Sequence, residues 1–563
     1  MNISTELPRR HDLDALRTVV MLLVIAFHVA SAFFPTGWPV QDSRQHIGFG
    51  LLVLVIHGFQ MPMFFILGGF FCTMMWRRRG FRYMLWHRFR RIFLPLLLGL
   101  FTIVPAVYWV NGIASESALS REEAARADIW AAAKMGDRSA IEQHLARGAD
   151  VNEQDSTFKL TPLSWAALAD NEDAVDALIQ NGAHVNAKNG REGGTPLHLA
   201  ALFGNTQTIA LLIQNGADVN VRDSRGETAL DSTMLDIKLT RSWATTLQIE
   251  FDDETVMDNK LNAAEFLRQR GAEAEQATFA KIKRGHDERA MLMYRLMYVP
   301  VFAHLWFLWL FSWLVVGFAI IAMIVERLPA IKLPSVLVLS PARYVWLIPL
   351  TMIPQSFMGF QGRIPSVGPD TSQGILPMPH VLAYYALFFG FGALYASYDD
   401  KVGRISKRWR FALPIGLLVI FPLGLEFSTG AFGLRDKLLA DELHRLLSIF
   451  FQAIYPWTLT FALMGLIRHF FSKASKTMRY LSDSSYWMYL THMPLVTAAQ
   501  IAVCEWPMPA IIKFTLIFVV ICAFLLWTYQ TLVRYTWLGT FLNGPRKRPV
   551  KTVAQGELVK RRA

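Results

Sequence analysis

Long apolar runs separated by short basic loops make up most of this chain, and one long polar block interrupts them. The runs fall at about 14–34, 48–75, 92–111, 293–325, 343–360, 379–397, 411–428, 445–470, 481–502 and 510–535. A helix of about 20 apolar residues crosses ~30 Å of hydrocarbon, so the pattern predicts ten spans. The loops at 77–91, 399–410 and 468–479 and the tail beyond 545 are rich in Arg and Lys, the first carrying seven arginines. With ten spans these four segments share one face, while 35–47, 361–378, 429–443 and 503–509 are sparse in bases. The positive-inside rule then places both termini in the cytoplasm and 112–290 on the opposite side, which in a bacterium is the periplasm. The predicted fold is all-α, a polytopic bundle of about ten transmembrane helices with a helical insert.

The polar block carries its own period. Gly148-Ala149-Asp150-Val151-Asn152 returns as Gly182-Ala183-His184-Val185-Asn186 and as Gly216-Ala217-Asp218-Val219-Asn220, each 34 residues on. Thr161-Pro162-Leu163, Thr195-Pro196-Leu197-His198-Leu199-Ala200-Ala201 and Thr228-Ala229-Leu230 keep nearly the same step. Thr-Pro opens a helix and Gly closes one, so each unit is a helix pair followed by a turn. The block resembles ankyrin repeats, which bind partners and carry no chemistry of their own. Three units are expected over 127–226, and a divergent fourth, interrupted at 236–260, resumes at 263–272. The organisation predicted is 1–111 membrane domain, 112–290 ankyrin insert, 291–540 membrane domain and 541–563 basic tail.

Composition sharpens the division. The chain has 563 residues, of which 53% are hydrophobic, and a net charge of +12. Residues 112–290 hold 29 acids and 19 bases, a net of −10, so the remainder carries +22. A basic protein often binds nucleic acid, but here the bases sit in membrane loops, and no nucleic-acid module is read. Cys72, Cys504 and Cys522 lie in or beside apolar runs without pairing or metal-ligand spacing, and no metal site is expected. The first run also looks like a secretory signal, with Arg9 and Arg10 before it and Ala30-Ser31-Ala32 as a cleavage-like triplet. Its length and the nine runs behind it favour an uncleaved signal anchor.

Within this membrane part a few ionisable residues stand out. Arg17 and His28 are eleven residues apart, close to three helical turns, so they share one face about 16 Å apart along the axis. A snorkelling arginine with a satisfied core histidine would give this pattern, and so would a functional pair. His304 and His492 are predicted at a similar depth, and His57 lies in the second run. His380, His444 and Glu426 lie nearer the opposite face. Arg88 and Arg91 share a face before the third run and suit either a lipid-headgroup belt or a fork for phosphate. Gly68-Gly69 in Met61-Pro62-Met63-Phe64-Phe65-Ile66-Leu67-Gly68-Gly69-Phe70 reads as a close helix contact.

Taken together these motifs resemble one family. Arg17-x10-His28 and Arg88-x-x-Arg91 are similar to the paired motifs of the type 3 membrane acyltransferases, and Ser485-Tyr486…His492 is similar to that family's late signature. His304-Leu305-Trp306-Phe307-Leu308 resembles the branch that includes the glucan biosynthesis protein C. The resemblance covers the membrane part and leaves out the ankyrin block.

The resemblance implies an O-acyltransferase that takes a succinyl or acetyl group from a cytoplasmic acyl-CoA, succinyl-CoA or acetyl-CoA, and gives it to a hydroxyl of a periplasmic glycan. His28, His304 and His492 are then the catalytic candidates, with His28 as base or acyl carrier. Arg17, Arg88 and Arg91 are the donor-binding candidates. The expected partners are acyl-CoA, a glycan acceptor, membrane lipids and a protein partner of the ankyrin array, with no permanently bound cofactor. The expected location is a bacterial inner membrane. A transporter or flippase for a glycan or lipid-linked sugar would also bury histidines in a helical bundle. A membrane-anchored ankyrin scaffold would use the bundle only as an anchor.

Overall fold

A computed structural model describes the chain from Arg10 to Gly544, leaving out 118–127, 274–292, 359–366, 434–440 and some shorter stretches. It is 74% helical and contains no strand among the described residues. The membrane part opens with α1 (His11–Ala30), α2 (Ile47–His57), α3 (Gln60–Arg79), α4 (Phe81–Arg88) and α5 (Leu94–Ser117). Helices α6 (Ile129–Met135), α7 (Arg138–Ala146), α8 (Pro162–Leu168), α9 (Glu172–Gln180), α10 (Pro196–Phe203), α11 (Thr206–Gln214), α12 (Ala229–Thr233), α13 (Ile237–Leu247) and α14 (Asp253–Gln269) follow. The bundle resumes with α15 (Trp306–Val325), α16 (Ser335–Leu339), α17 (Tyr344–Gln355), α18 (Pro379–Tyr395), α19 (Trp409–Ile415), α20 (Phe421–Thr429), α21 (Asp441–Phe471), α22 (Lys476–Val503), α23 (Ala510–Thr528) and α24 (Trp537–Asn543).

Seven helical stretches among the described residues are long and apolar enough to cross a membrane: His11–Phe33, Ile47–Arg79, Phe81–Ile113, Ala303–Val325, Arg404–Thr429, Leu443–Phe471 and Ala510–Val533. The other three expected runs are also helical, but each departs from that pattern. Helix α17 has only 12 residues and holds Pro349 and Pro354. Helix α18 has 17 residues, with Tyr384, Tyr385 and Phe388 fully buried. Helix α22 has 28 residues but buries serines, Asp483, His492 and Gln500. A helix enclosed by other helices need not present an apolar face to lipid, so its composition can be more polar than a span's.

Two separate hydrophobic cores hold the chain together. The larger joins α1, α3, α15, α18, α21, α22 and α23. In it α3 and α18 meet backbone to backbone. A Cβ on Gly69 would lie 1.9 Å from the Phe389 carbonyl oxygen, and one on Gly392 would lie 2.0 Å from that of Ile66. The contact is reciprocal, so the paired-glycine stretch serves packing, as small residues do between membrane helices.

The smaller core runs from Ile129 to Leu267 through the ankyrin helices. Thr161 caps α8, with proline following in the first turn. Each repeat is clamped to the next by its terminal asparagine. Asn152 accepts from His184 N–H at 2.7 Å and donates to the Gly182 carbonyl at 3.2 Å. Asn186 does the same to Asp218 and Gly216, both at 3.0 Å. Asn220 repeats the clamp across a longer gap, to Glu273 at 2.9 Å and Gly271 at 3.2 Å. The divergent fourth unit therefore closes on the array in the same way, and the expected interruption at 236–260 contains a helix, α13, and the start of α14. Helix α14 puts Ala263, Ala264 and Leu267 into this core. Helix α5 runs on to Ser117, past the expected boundary at 112.

Gly392→Val should overpack the α3–α18 contact and cost about 1–3 kcal/mol, seen as a lower unfolding midpoint of the detergent-solubilised protein. Asn220→Ala should loosen only the last repeat, by about 1–2 kcal/mol. Limited proteolysis should then cut within 253–273 sooner while the earlier repeats stay protected.

Candidate active site

Helix α1 carries Asp14, Arg17, Met21 and His28 at steps of three, four and seven residues, which keeps them on one face. Helix α22 does the same with Ser482, Ser485, Tyr489, His492, Val496 and Gln500, all of them buried. The two faces meet in parallel. Arg17 donates to the Ser482 carbonyl and, at 2.9 Å, to its hydroxyl. His28 Nδ1 and His492 Nε2 are 3.0 Å apart. Gln500 donates to the carbonyls of His28 at 2.9 Å and Val29 at 3.2 Å. Eleven residues on α1 are matched by ten on α22, about 16 and 15 Å of rise.

The third histidine arrives from the segment before α15. His304 Nε2 lies 3.1 Å from the Leu490 carbonyl. That carbonyl is available because position 494, whose N–H would normally bond to it, is proline. Tyr489 donates its hydroxyl to the His304 carbonyl at 2.6 Å. Ala303, just before, has φ of +42°, a conformation costly for a residue with a Cβ and one that collects at functional sites. The ring centres of His28 and His492 are 4.9 Å apart, and those of His304 and His492 are 5.5 Å apart.

These bonds fix the tautomers of neutral imidazoles. His492 Nδ1 faces the carbonyls of Met488 at 3.1 Å and Tyr489 at 2.8 Å, so it carries the proton. Its Nε2 is then an acceptor, and His28 must donate from Nδ1. The Nε2 of His28 then carries the lone pair, on a residue that is half-buried. By the same reasoning His304 carries its proton on Nε2. Its buried Nδ1 has no hydrogen-bond partner.

Beside the histidines is a cavity of about 600 Å³. Arg17, Arg78, Arg79, Arg88 and Arg91 line it, and Asp14 is its one carboxylate. Much of the remaining wall is apolar, with Phe64, Phe307 and Phe311 in it, and His87, Ser485 and Asn543 add polar groups. Arg88 lies over the Phe311 ring at 5.9 Å, and its Nε and one Nη are buried without a hydrogen-bond partner. Residues 89–93 form a single π-helical turn between α4 and α5, and both Arg88 and Arg91 reach the cavity from it or its edge. Such turns are frequent at functional sites. The three histidines do not line the cavity. Tyr489 belongs to both, lining the cavity and donating its hydroxyl to the His304 carbonyl.

The structure thus brings Arg17, Arg88 and Arg91 to one cavity and His28, His304 and His492 to one cluster. The remaining candidates are outside this hydrogen-bonded cluster. His57 stacks on Phe27 with ring centres 5.7 Å apart. His380 Nε2 is 3.7 Å from Asp370, and Glu426 accepts from Phe432 N–H at 2.6 Å. Four more residues take part that motif spacing does not single out: Tyr489, Ser482, Gln500 and Pro494. The three-and-four spacing of polar residues along 482–500 was the available signal for the first three.

A family model described as an acyltransferase domain matches residues 10–125 and 259–529, more than two thirds of the chain. The chain belongs to this acyltransferase 3 family. A model of three ankyrin repeats matches 129–223, in the gap between those two segments. Among individual proteins, the chain is similar to the glucans biosynthesis protein C of Salmonella typhi, with 30% identity over 97 residues. The proteins of the same name from Salmonella typhimurium and Salmonella paratyphi B match over the same length at the same identity. Each match takes in 17% of this chain and spans about a quarter (25%) of the length of these curated relatives.

Pro494→Ala returns an N–H to the Leu490 carbonyl, where it competes with His304. Helix α22 should become no less stable, because an interior proline is replaced by a good helix former. Acyl transfer should fall about tenfold through loss of the His304 placement, roughly the effect of one net hydrogen bond. Rate and unfolding midpoint measured on one preparation would separate the two effects.

Proposed function

We propose that this protein is an integral-membrane O-acyltransferase that moves a small acyl group, succinyl or acetyl, from a cytoplasmic acyl-CoA to a hydroxyl of an envelope glycan. The observation that carries this reading is the cavity of five arginines joined through Tyr489 to three connected histidines. Coenzyme A carries several phosphate charges, and guanidinium groups recognise phosphate in bidentate fashion. Arg17, Arg88 and Arg91 are assigned to hold the donor. Arg17 is steadied by Ser482, and two buried guanidinium nitrogens of Arg88 are left for a ligand.

In this reading His28 is the general base. Its Nε2 takes the proton of the acceptor hydroxyl as that oxygen attacks the thioester carbonyl. The C–O bond forms, the C–S bond breaks, and the proton passes to the departing thiolate. His492 accepts from His28 Nδ1–H and so keeps the basic nitrogen free, as an orienting partner does in other acyl-transfer sites. His304 supports the cluster from the Leu490 carbonyl. A protein of the inner membrane with cytoplasmic termini fits the basic loops, and the ankyrin array then faces the periplasm as a protein-interaction module.

The test is mass spectrometry of envelope glycans from cells with and without the protein, alongside purified protein supplied with acyl-CoA. His28→Ala should lower ester formation by about 10²–10⁴-fold, the usual contribution of a general base. Arg88→Ala should raise the donor KM by roughly tenfold, as expected for one charged hydrogen bond. Unchanged glycan acylation in His28→Ala cells at normal protein level would overturn the assignment.

A further inference from the structure

We propose that Trp38 is the platform on which the acceptor's sugar ring is seated beside His28. The inference rests on the transferase reading and names the acceptor subsite of that site. Helix α1 runs from the arginine cavity at Asp14 and Arg17 to His28, and just past its end Ala32 and Phe33 accept from the N–H groups of Asp42 and His46. Trp38 therefore lies at the end of the site away from the arginines, where a glycan rather than acyl-CoA would approach.

Three observations make this residue more than a loop aromatic. Its ring centre is 5.6 Å from that of His28, with the planes tilted by 33°. Its indole N–H donates to Gln500 Oε1 at 2.8 Å, and Gln500 is 1% exposed. The same amide donates to the carbonyls of His28 and Val29, so one side chain ties the tryptophan to the backbone of the base. All the polar atoms of Gln500 are used by this clamp, while the Trp38 ring stays half-buried.

The loop behind Trp38 is locked. Asp42 is 5% exposed and Lys513 is 0% exposed. The Lys513 ammonium meets both Asp42 carboxylate oxygens at 3.0 Å and the Cys504 carbonyl at 2.8 Å. Asp42 N–H bonds to the Ala32 carbonyl at 2.9 Å, and Ser43 Oγ bonds to Cys504 at 2.9 Å. A buried ion pair with its remaining bonds satisfied fixes a conformation. The aromatic face is thus pre-organised, and little ordering cost remains for a ligand. A fixed aromatic face with one polar edge engaged suits the C–H face of a pyranose, leaving the sugar's hydroxyls at its rim to reach His28 Nε2.

The experiment is binding of a linear glucose oligosaccharide to the full chain in lipid nanodiscs, measured by calorimetry without any acyl donor. Wild type should bind, Trp38→Ala should bind about tenfold more weakly, and Trp38→Phe should stay near wild type, the scale set by one aromatic contact. Acyl-CoA binding should be unchanged in both variants, which separates an acceptor subsite from general damage. No binding by wild type, equal binding by Trp38→Ala, or a parallel loss of acyl-CoA binding that phenylalanine does not restore would overturn the proposal. The transferase reading stands or falls separately, on ester formation by wild type supplied with acyl-CoA.

Discussion

One line of buried polar contacts between two helices governs the membrane part. Helices α1 and α22 run in parallel and exchange hydrogen bonds at three levels, Arg17 with Ser482, His28 with His492 and the His28 carbonyl with Gln500. Polar groups removed from water must find partners or they cost several kcal/mol each. Once α1 carries an arginine and a histidine three turns apart, its neighbour must answer at both levels, and a slip of one residue would leave them unmatched. The seam therefore sets the register of the two helices and holds the histidines as a unit. His304 joins through a carbonyl that Pro494 leaves unused, so a residue that weakens the helix completes the cluster.

The rest of the bundle surrounds this seam. The glycine contact of α3 with α18 brings two backbones together, and α3 and α15 close the wall of the arginine cavity with Phe64, Phe307 and Phe311. Apolar walls strengthen a charged site, because a guanidinium shielded from water interacts more strongly with an anion. The ankyrin array has its own core and its own repeated asparagine clamp, so it folds by rules that do not involve the membrane part. That independence explains how an array can stand between two halves of a family domain. The insertion requires only that the two ends of the break be spanned, and α5 and the residues before α15 supply those ends.

Helical class, the repeat array and the ionisable side chains inside the apolar runs are all legible along the chain. Each is written locally: apolar length in the runs, a 34-residue step in the repeats, and ionisable side chains where lipid would not tolerate them. Spacing alone put Arg17 and His28 on one face. It could not say which helix faced them, because the partners Ser482, His492 and Gln500 lie more than 460 residues away. Tertiary structure also decided which buried histidines belong together. His28, His304 and His492 converge, while His57, also inside an apolar run, stacks on Phe27, and His380 faces Asp370. Helices α17, α18 and α22 fall outside the seven long apolar stretches because each is short or carries polar residues on the side that packs against other helices. Composition reports how apolar a segment is, and only packing decides whether its neighbour is lipid or protein.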